Sequence, residues 1–198
     1  MDFRTFGNIG SPTLLLIPGL GVSYEIFLPL IGLLEKRFHV VAVLVDGFTL
    51  GQNTEFTSID DQVRQVSKYI KENLGGPLKY LQCANVWTCY HWTGFWKWVF
   101  HSHYFDVLLD ECKKVYPFGG CKAVLDGYTS VYTTKLESIS GSDIHFWYGT
   151  KEAFVAKPQV RHLRTLHPDT KVEVFKDMNH GQLLIDHPEE VADRITRM

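Results

Sequence analysis

Short apolar runs alternate with longer amphipathic segments at both ends of the chain. The first run, Thr13 to Ile17, ends at a Pro-Gly turn, and the second lies within HVVAVLVDG at residues 39–47. Between them, residues 26–38 place apolar side chains over about three helical turns, with Pro29 tolerable only in the first. Apolar strands that alternate with helices are typical of a parallel sheet covered on both faces.

The next segment predicts a second helix. Ser58 and Asp61 have the spacing of a capping box, and Gly75-Gly76 ends the pattern. Apolar residues between them recur at helical spacing: Ile59, Val63, Val66, Ile70 and Leu74.

The C-terminal part repeats the alternation of strands and helices. We predict strands in IHFWYG and KVEVFKD, a helix in PQVRHLRTLHP, and a last helix that begins at Pro188 with two carboxylates in its first turn. We therefore predict an α/β fold with a mostly parallel sheet flanked by helices.

The middle of the chain has a different pattern. It contains four of the five tryptophans and no run of apolar β-branched residues, which favours short aromatic-rich helices. We predict that residues 1–76 and 139–198 form an α/β core and that residues 77–138 form a helical cap inserted in it.

Composition narrows the classes of function. The 198 residues carry 20 basic and 22 acidic side chains, a net charge of -2 that gives no general attraction to nucleic acid or to an anionic membrane. The N-terminal sequence lacks a secretory pattern, and TLLLIPGL is far shorter than the roughly 20 apolar residues of a membrane span, so we expect a cytoplasmic protein. The four cysteines lack the spacing of a zinc site, and we expect reduced thiols.

Three motifs, in order along the chain, resemble those of the α/β-hydrolase family. LLLIPGLG resembles the first buried strand and the oxyanion loop, YGTKE resembles the turn that carries the acid, and MNHGQLLIDHPEEV resembles the loop with the base and the final helix. The resemblance implies that His180 is the base, that Glu152 orients it, and that the backbone N–H of Leu20, next to Gly19, stabilises an oxyanion.

The resemblance also implies that the aromatic segment is a cap over the substrate pocket. Trp87, Trp92 and Trp96 would then line a pocket for an apolar acyl group. The alternative is that these tryptophans are buried in the core of the cap, and this interpretation is at least as well supported.

The nucleophile of the family is not apparent in this sequence. No G-x-S-x-G occurs, and after Gly76 the segment PLKYLQCANVW shows no apolar strand, so we expect the central strand and its elbow to be missing. Cys121, within GGCKA, resembles a degenerate elbow, but the 31 positions to Glu152 are too few for the strand and crossovers that the family needs there. Ser140 and Ser142 favour an ordinary loop.

Two functions follow as hypotheses. The first is a hydrolase of small esters or related acyl substrates that uses His180 and Glu152 with an unrecognised nucleophile. The second is a non-catalytic form that binds a small apolar ligand or a partner, including a second copy through the open edge of the sheet. His101 and His103 are not predicted to bind a metal, and we expect no cofactor.

Overall fold

Six strands, in two groups, lie in the part of the chain that the structure describes. The computed structural model describes residues 1–19, 22–49, 51–52, 54–75, 78–82 and 143–198. The strands of the first group are β1 (Asp2–Phe6), β2 (Thr13–Ile17), β3 (His39–Leu44) and β4 (Leu78–Gln82). They run in the order β1-β3-β2-β4, with β1 antiparallel to β3 and the other pairs parallel. The second group is the parallel pair β5 (His145–Gly149) and β6 (Lys171–Phe175).

Five α-helices lie in the described part of the chain. They are α1 (Leu28–Leu34), α2 (Ile59–Asn73), α3 (Ala153–Leu166), α4 (Gln182–Asp186) and α5 (Pro188–Arg197), and short 3₁₀ helices at Tyr24–Phe27 and Thr150–Glu152 precede α1 and α3. Pro29 and Pro188 lie in the first turns of α1 and α5, where a missing N–H costs no helical hydrogen bond. The predicted mostly parallel α/β architecture is confirmed.

The strands β2 and β3 have a hydrophobic core on each face. One face carries Leu14, Leu16 and Val40, which pack with α1 and with the C-terminal residues Val191 and Ile195. The opposite face carries Leu15, Val41 and Val43 and packs against apolar residues of α2. Successive strand residues point to opposite faces, so a strand covered on both sides is apolar along its buried length, as residues 14–17 and 40–44 are.

The expected absence of a strand after Gly76 is wrong. Leu78–Gln82 forms β4, which pairs in parallel with β2 from Thr13 opposite Leu78 to Ile17 opposite Gln82. The segment therefore lies in the sheet, although it falls within the predicted cap of residues 77–138. The sequence of this segment does not look like a buried strand because Lys79 interrupts the apolar run. In the structure the Lys79 ammonium lies 5.4 Å from the ring centroid of Phe38.

The strand β2 does not have the open edge that a missing neighbour would leave. The neighbour that β2 was expected to lack is β4, so β2 is paired on both sides. The remainder of the predicted cap lies outside the described residues and stays a prediction, as does a homodimer. No helix in the described part of the chain is long and apolar enough to cross a membrane.

The helix α2 begins as predicted but turns a different side chain inward. The Ser58 hydroxyl accepts a hydrogen bond from the Asp61 N–H at 3.1 Å. Val63, one of the apolar residues at helical spacing, is 57% exposed, whereas its neighbour Gln62 is buried. Gln62 faces inward because its amide donates to the Asp46 carboxylate at 3.0 Å.

Asp46 is a buried carboxylate at the end of β3, with 4% of its surface exposed. Its Oδ1 lies 2.7 Å from the N-terminal ammonium, and its Oδ2 also accepts from Gln65 at 3.0 Å. Burial alone would raise the pKa of Asp46, but the hydrogen bonds and the ammonium charge outweigh it and hold the pKa below its ordinary 3.8.

The second pair of strands is joined to the larger core through α5. The Arg194 guanidinium lies 5.0 Å from the ring centroid of Phe175 and 5.9 Å from that of Trp147, and it forms an ion pair with Glu190 at 2.8 Å. Both aromatic rings also pack against the core cluster of β2, β3 and α1. The strands β5 and β6 are therefore held to the N-terminal part of the chain.

Candidate active site

Two adjacent turns form the candidate site. Because β5 and β6 are parallel, with Gly149 opposite Phe175, their carboxyl ends meet at one edge. The turn after β5 carries Glu152, and the loop after β6 carries His180. Functional side chains in α/β proteins commonly lie beyond the carboxyl ends of strands, and both residues have that placement.

The structure brings Glu152 and His180 into direct contact. Oε2 of Glu152 is hydrogen-bonded to Nδ1 of His180. The other carboxylate oxygen, Oε1, accepts from the Gly149 N–H at 2.9 Å. The side chain of Glu152 is 17% exposed and that of His180 is 32% exposed, so the pair is partly shielded from water.

This contact determines which nitrogen of a neutral imidazole can act as a base. A carboxylate only accepts hydrogen bonds, so the proton of neutral His180 is stabilised on Nδ1, beside Glu152. The lone pair is then on Nε2, as a general base requires. The arrangement also stabilises the imidazolium that would form when Nε2 takes up a proton.

Two hydrogen bonds and one close approach hold the two turns together next to this pair. The Asp177 N–H donates to Thr150 Oγ1 at 2.8 Å, and the Lys151 N–H donates to Met178 O at 3.1 Å. Gly149 is required by this close approach, because a Cβ placed on it would lie 2.0 Å from Met178 O. The spacing of Glu152 and His180 is therefore set by these contacts between the two turns.

The loop that carries His180 is shaped by residues with left-handed backbone. Asp177 has φ 59° and Gly181 has φ 69°, a conformation that glycine adopts without strain and aspartate tolerates better than most residues. Gly181 leads directly into α4, a short helix that the sequence did not predict. In its first turn, Gln182 Oε1 accepts from the Asn179 N–H at 2.9 Å.

The predicted oxyanion loop is described only in part. Gly19 is buried, and its carbonyl accepts from the Val22 N–H at 3.3 Å. Leu20, whose N–H was the expected donor, lies outside the described residues. Val22 and Tyr24, just after this loop, share a core cluster with Leu183 of α4. The elements that flank the predicted oxyanion loop and His180 are thus packed together.

The other candidate residues cannot be placed. Cys121 and the tryptophans Trp87, Trp92 and Trp96 lie outside the described residues, as do Ser140, Ser142, His101 and His103. Their roles stay predictions. Among the residues that the structure describes, no group of three or more His, Cys, Asp or Glu side chains is placed to hold a metal ion.

A cleft lies at α5, and neither Glu152 nor His180 lines it. It has a volume of about 400 Å³ and is lined by His145, Glu173, Glu190, Asp193, Arg194, Arg197 and Met198. Both arginines already form ion pairs, Arg194 with Glu173 and Glu190, and Arg197 with Asp193. Since its charges are largely paired within the protein, we assign it no chemistry.

The sequence pattern missed three residues that shape the site: Gly149, Thr150 and Gln182. The first two lie within the YGTKE motif, in which the resemblance assigns a role only to Glu152. Gln182 follows Gly181 at the start of a helix too short to show periodicity. Only the pairing of the two turns in space reveals what these side chains and this glycine contact.

Comparison with known proteins identifies the fold. Similar structures include an alpha/beta hydrolase family protein from Desulfitobacterium hafniense, with 12% identity, TM-score 0.68 and 99% of both chains covered. A carboxylesterase from the Thaumarchaeon Nitrososphaera gargenis has 14% identity and TM-score 0.67, covering 99% of this chain and 92% of the other. For 1H-3-hydroxy-4-oxoquinoline 2,4-dioxygenase the values are 13% and 0.71, with 98% and 94% covered.

These likenesses show that the chain has the α/β-hydrolase fold. No family model and no curated protein sequence matches it. A dioxygenase among the similar structures illustrates that this fold hosts more than one reaction, so the activity must be argued from the site itself.

Proposed function

We propose that this protein is a hydrolase of small esters or related acyl substrates, in which His180 is the general base and Glu152 orients it. The observation that carries the proposal is the hydrogen bond between Glu152 Oε2 and His180 Nδ1, on a carboxylate whose other oxygen is held by the Gly149 N–H. The carboxylesterase of similar fold supports the substrate class.

The proposed reaction has two halves. His180 Nε2 takes the proton of a hydroxyl or thiol nucleophile as this attacks the acyl carbonyl, and the resulting imidazolium is stabilised by the Glu152 carboxylate. His180 then returns the proton to the leaving alcohol, and an acyl-enzyme remains. In the second half, water attacks the acyl-enzyme carbonyl and loses a proton to His180. His180 then returns that proton to the oxygen or sulfur of the departing enzyme nucleophile, and the acid is released.

The position of β4 makes the residue directly after this strand a candidate nucleophile. In α/β-hydrolases the nucleophile follows a strand of the sheet on a tight turn. In this sequence Cys83 comes immediately after Gln82, the last residue of β4. We propose Cys83 as a candidate beside Cys121, and peptide mapping distinguishes the two.

Covalent labelling tests this proposal. The intact mass of the protein is measured after treatment with a fluorophosphonate and, separately, with an iodoacetamide-type probe near neutral pH. The parent is compared with His180→Ala and with His162→Ala, a matched loss of an exposed imidazole on α3. We expect an adduct that forms more slowly in His180→Ala than in the parent or in His162→Ala. Peptide mapping identifies the labelled residue.

The other outcomes are equally informative. Equal labelling rates in the parent and in His180→Ala would contradict a base role for His180. No adduct with either probe, on a protein that unfolds cooperatively, would favour the alternative of a non-catalytic protein that binds a small apolar ligand.

A further inference from the structure

The contacts between the two turns continue the pairing of β5 and β6 beyond the end of both strands. The last strand pair is Gly149 opposite Phe175. In order along the chain, Thr150 then contacts Asp177, Lys151 contacts Met178, and Glu152 contacts His180. The Glu152–His180 pair is therefore the third of three successive links.

Of the first two links, only one uses a side chain. Lys151 and Met178 are joined main chain to main chain, so any residue other than proline at position 151, and any residue at position 178, could form that hydrogen bond. Thr150 accepts the Asp177 N–H with its Oγ1 at 2.8 Å, and this link depends on the identity of residue 150. Asp177 also has a left-handed backbone, with φ 59°, which a fixed hydrogen bond at its N–H helps to maintain.

We propose that Thr150 is a positioning residue for His180: its hydroxyl fixes the start of the base loop, and so holds the imidazole at Glu152. This inference rests on the proposed function of His180 as a base. Threonine suits the role because its branched Cβ restricts χ1, so the oxygen is presented in few orientations. Serine would keep the acceptor with more freedom, whereas valine keeps the shape and lacks the acceptor.

The test follows the His180 ring itself, independently of turnover. In ¹⁵N-edited NMR, the proton on Nδ1 of His180 is observed in the parent, Thr150→Val, Thr150→Ser and Thr150→Ala. Thr165→Val is the matched control, because it also removes a threonine hydroxyl, one that donates to the His162 carbonyl within α3. Circular dichroism and urea unfolding confirm that each variant is folded.

We expect a downfield, slowly exchanging Nδ1 proton in the parent, Thr150→Ser and Thr165→Val. In Thr150→Val and Thr150→Ala the signal should broaden or move upfield, and labelling that depends on His180 should slow by about 10- to 100-fold, the scale expected for misplacement of a reacting group. Rescue by serine but not by valine separates loss of the hydroxyl from a general loss of packing.

An unchanged His180 signal in a folded Thr150→Val variant overturns the positioning role. So does rapid hydrogen exchange of the Asp177 amide in the parent, a measurement that needs no variant. If the parent is never labelled while Thr150→Val still loses the His180 signal, the positioning role stands and the proposed hydrolase function fails.

Discussion

Gln182 holds Asn179 at two points, accepting the backbone N–H at 2.9 Å and the side-chain Nδ2 at 3.2 Å with the same Oε1. Its own amide is oriented by Asp186, whose Oδ2 accepts from Gln182 Nε2 at 2.9 Å. Asn179 immediately precedes His180. The imidazole is thus constrained on its α4 side by Gln182, as it is on its β5 side by the turn of Glu152.

Replacement of Gln182 by alanine should loosen this constraint. We expect labelling that depends on His180 to slow by about tenfold, and the free energy of unfolding to fall by about 1 kcal/mol, because one partly buried acceptor is lost. The comparison is Gln159→Ala, an exposed glutamine on α3. Labelling time courses followed by mass spectrometry measure the first quantity and urea unfolding the second. Equal rates in the two variants would contradict the prediction.

Glu152→Gln tests the charge of the acid with little change of shape. The amide oxygen can still accept the Gly149 N–H, but a neutral group no longer stabilises an imidazolium, so we expect labelling to slow by about 10²- to 10⁴-fold. Thermal unfolding should change little. Glu189→Gln removes an exposed carboxylate from α5 and should leave the rate as in the parent. A Glu152→Gln variant that is labelled as fast as the parent would argue against the proposed acid.

Two glycine-to-alanine substitutions should have opposite effects on stability. Gly149→Ala places a Cβ 2.0 Å from Met178 O, so the turns must separate, and we expect a loss of about 1–3 kcal/mol in unfolding free energy. Gly32 lies in α1 with no atom within 4 Å of the added Cβ, and Gly32→Ala should gain about 0.5–1 kcal/mol. Urea unfolding of both variants gives the comparison. A stable Gly149→Ala variant would show that the turns do not need this close approach.

Asp46 should make stability depend on acid pH. Because the pKa of Asp46 is lower in the folded protein than the ordinary 3.8, its carboxylate stabilises the fold above that pH, and the contribution is lost as pH falls through the folded-state pKa. We expect Asp46→Asn to cost about 1.5–3 kcal/mol near pH 7, the scale of hydrogen bonds to a charged group. The difference from the parent should shrink below about pH 4. A pH-independent difference would contradict a role for the charge.

The sequence allowed the acid and base positions to be predicted because each lies in a local motif after a recognisable strand. Glu152 and His180 do meet in space, as the resemblance implied. Their catalytic roles remain to be tested by the labelling experiment. The apolar strands β2 and β3 were equally accessible, since burial on both faces leaves a continuous hydrophobic run.

What the sequence could not predict depends on tertiary pairing. β4 contains Lys79, and its strand conformation is imposed by the ladder with β2, so the local pattern was a poor guide. The role of Thr150 depends on a turn 27 residues away that only the parallel alignment of β5 and β6 brings near. The short α4 depends on a left-handed Gly181 and not on periodicity.

The shared core of β2, α1, α4 and α5 has a consequence for the order of folding. Leu183 and Val191 pack with Leu14 and Leu30, across more than 150 residues of chain. Closing so long a loop costs entropy before any contact offsets it, so contacts of this kind form late. The strands β1 to β3 and α1 lie within residues 2–44 and can assemble from local contacts. We therefore expect His180 to reach its final position only after α5 has docked on the strands β2 and β3.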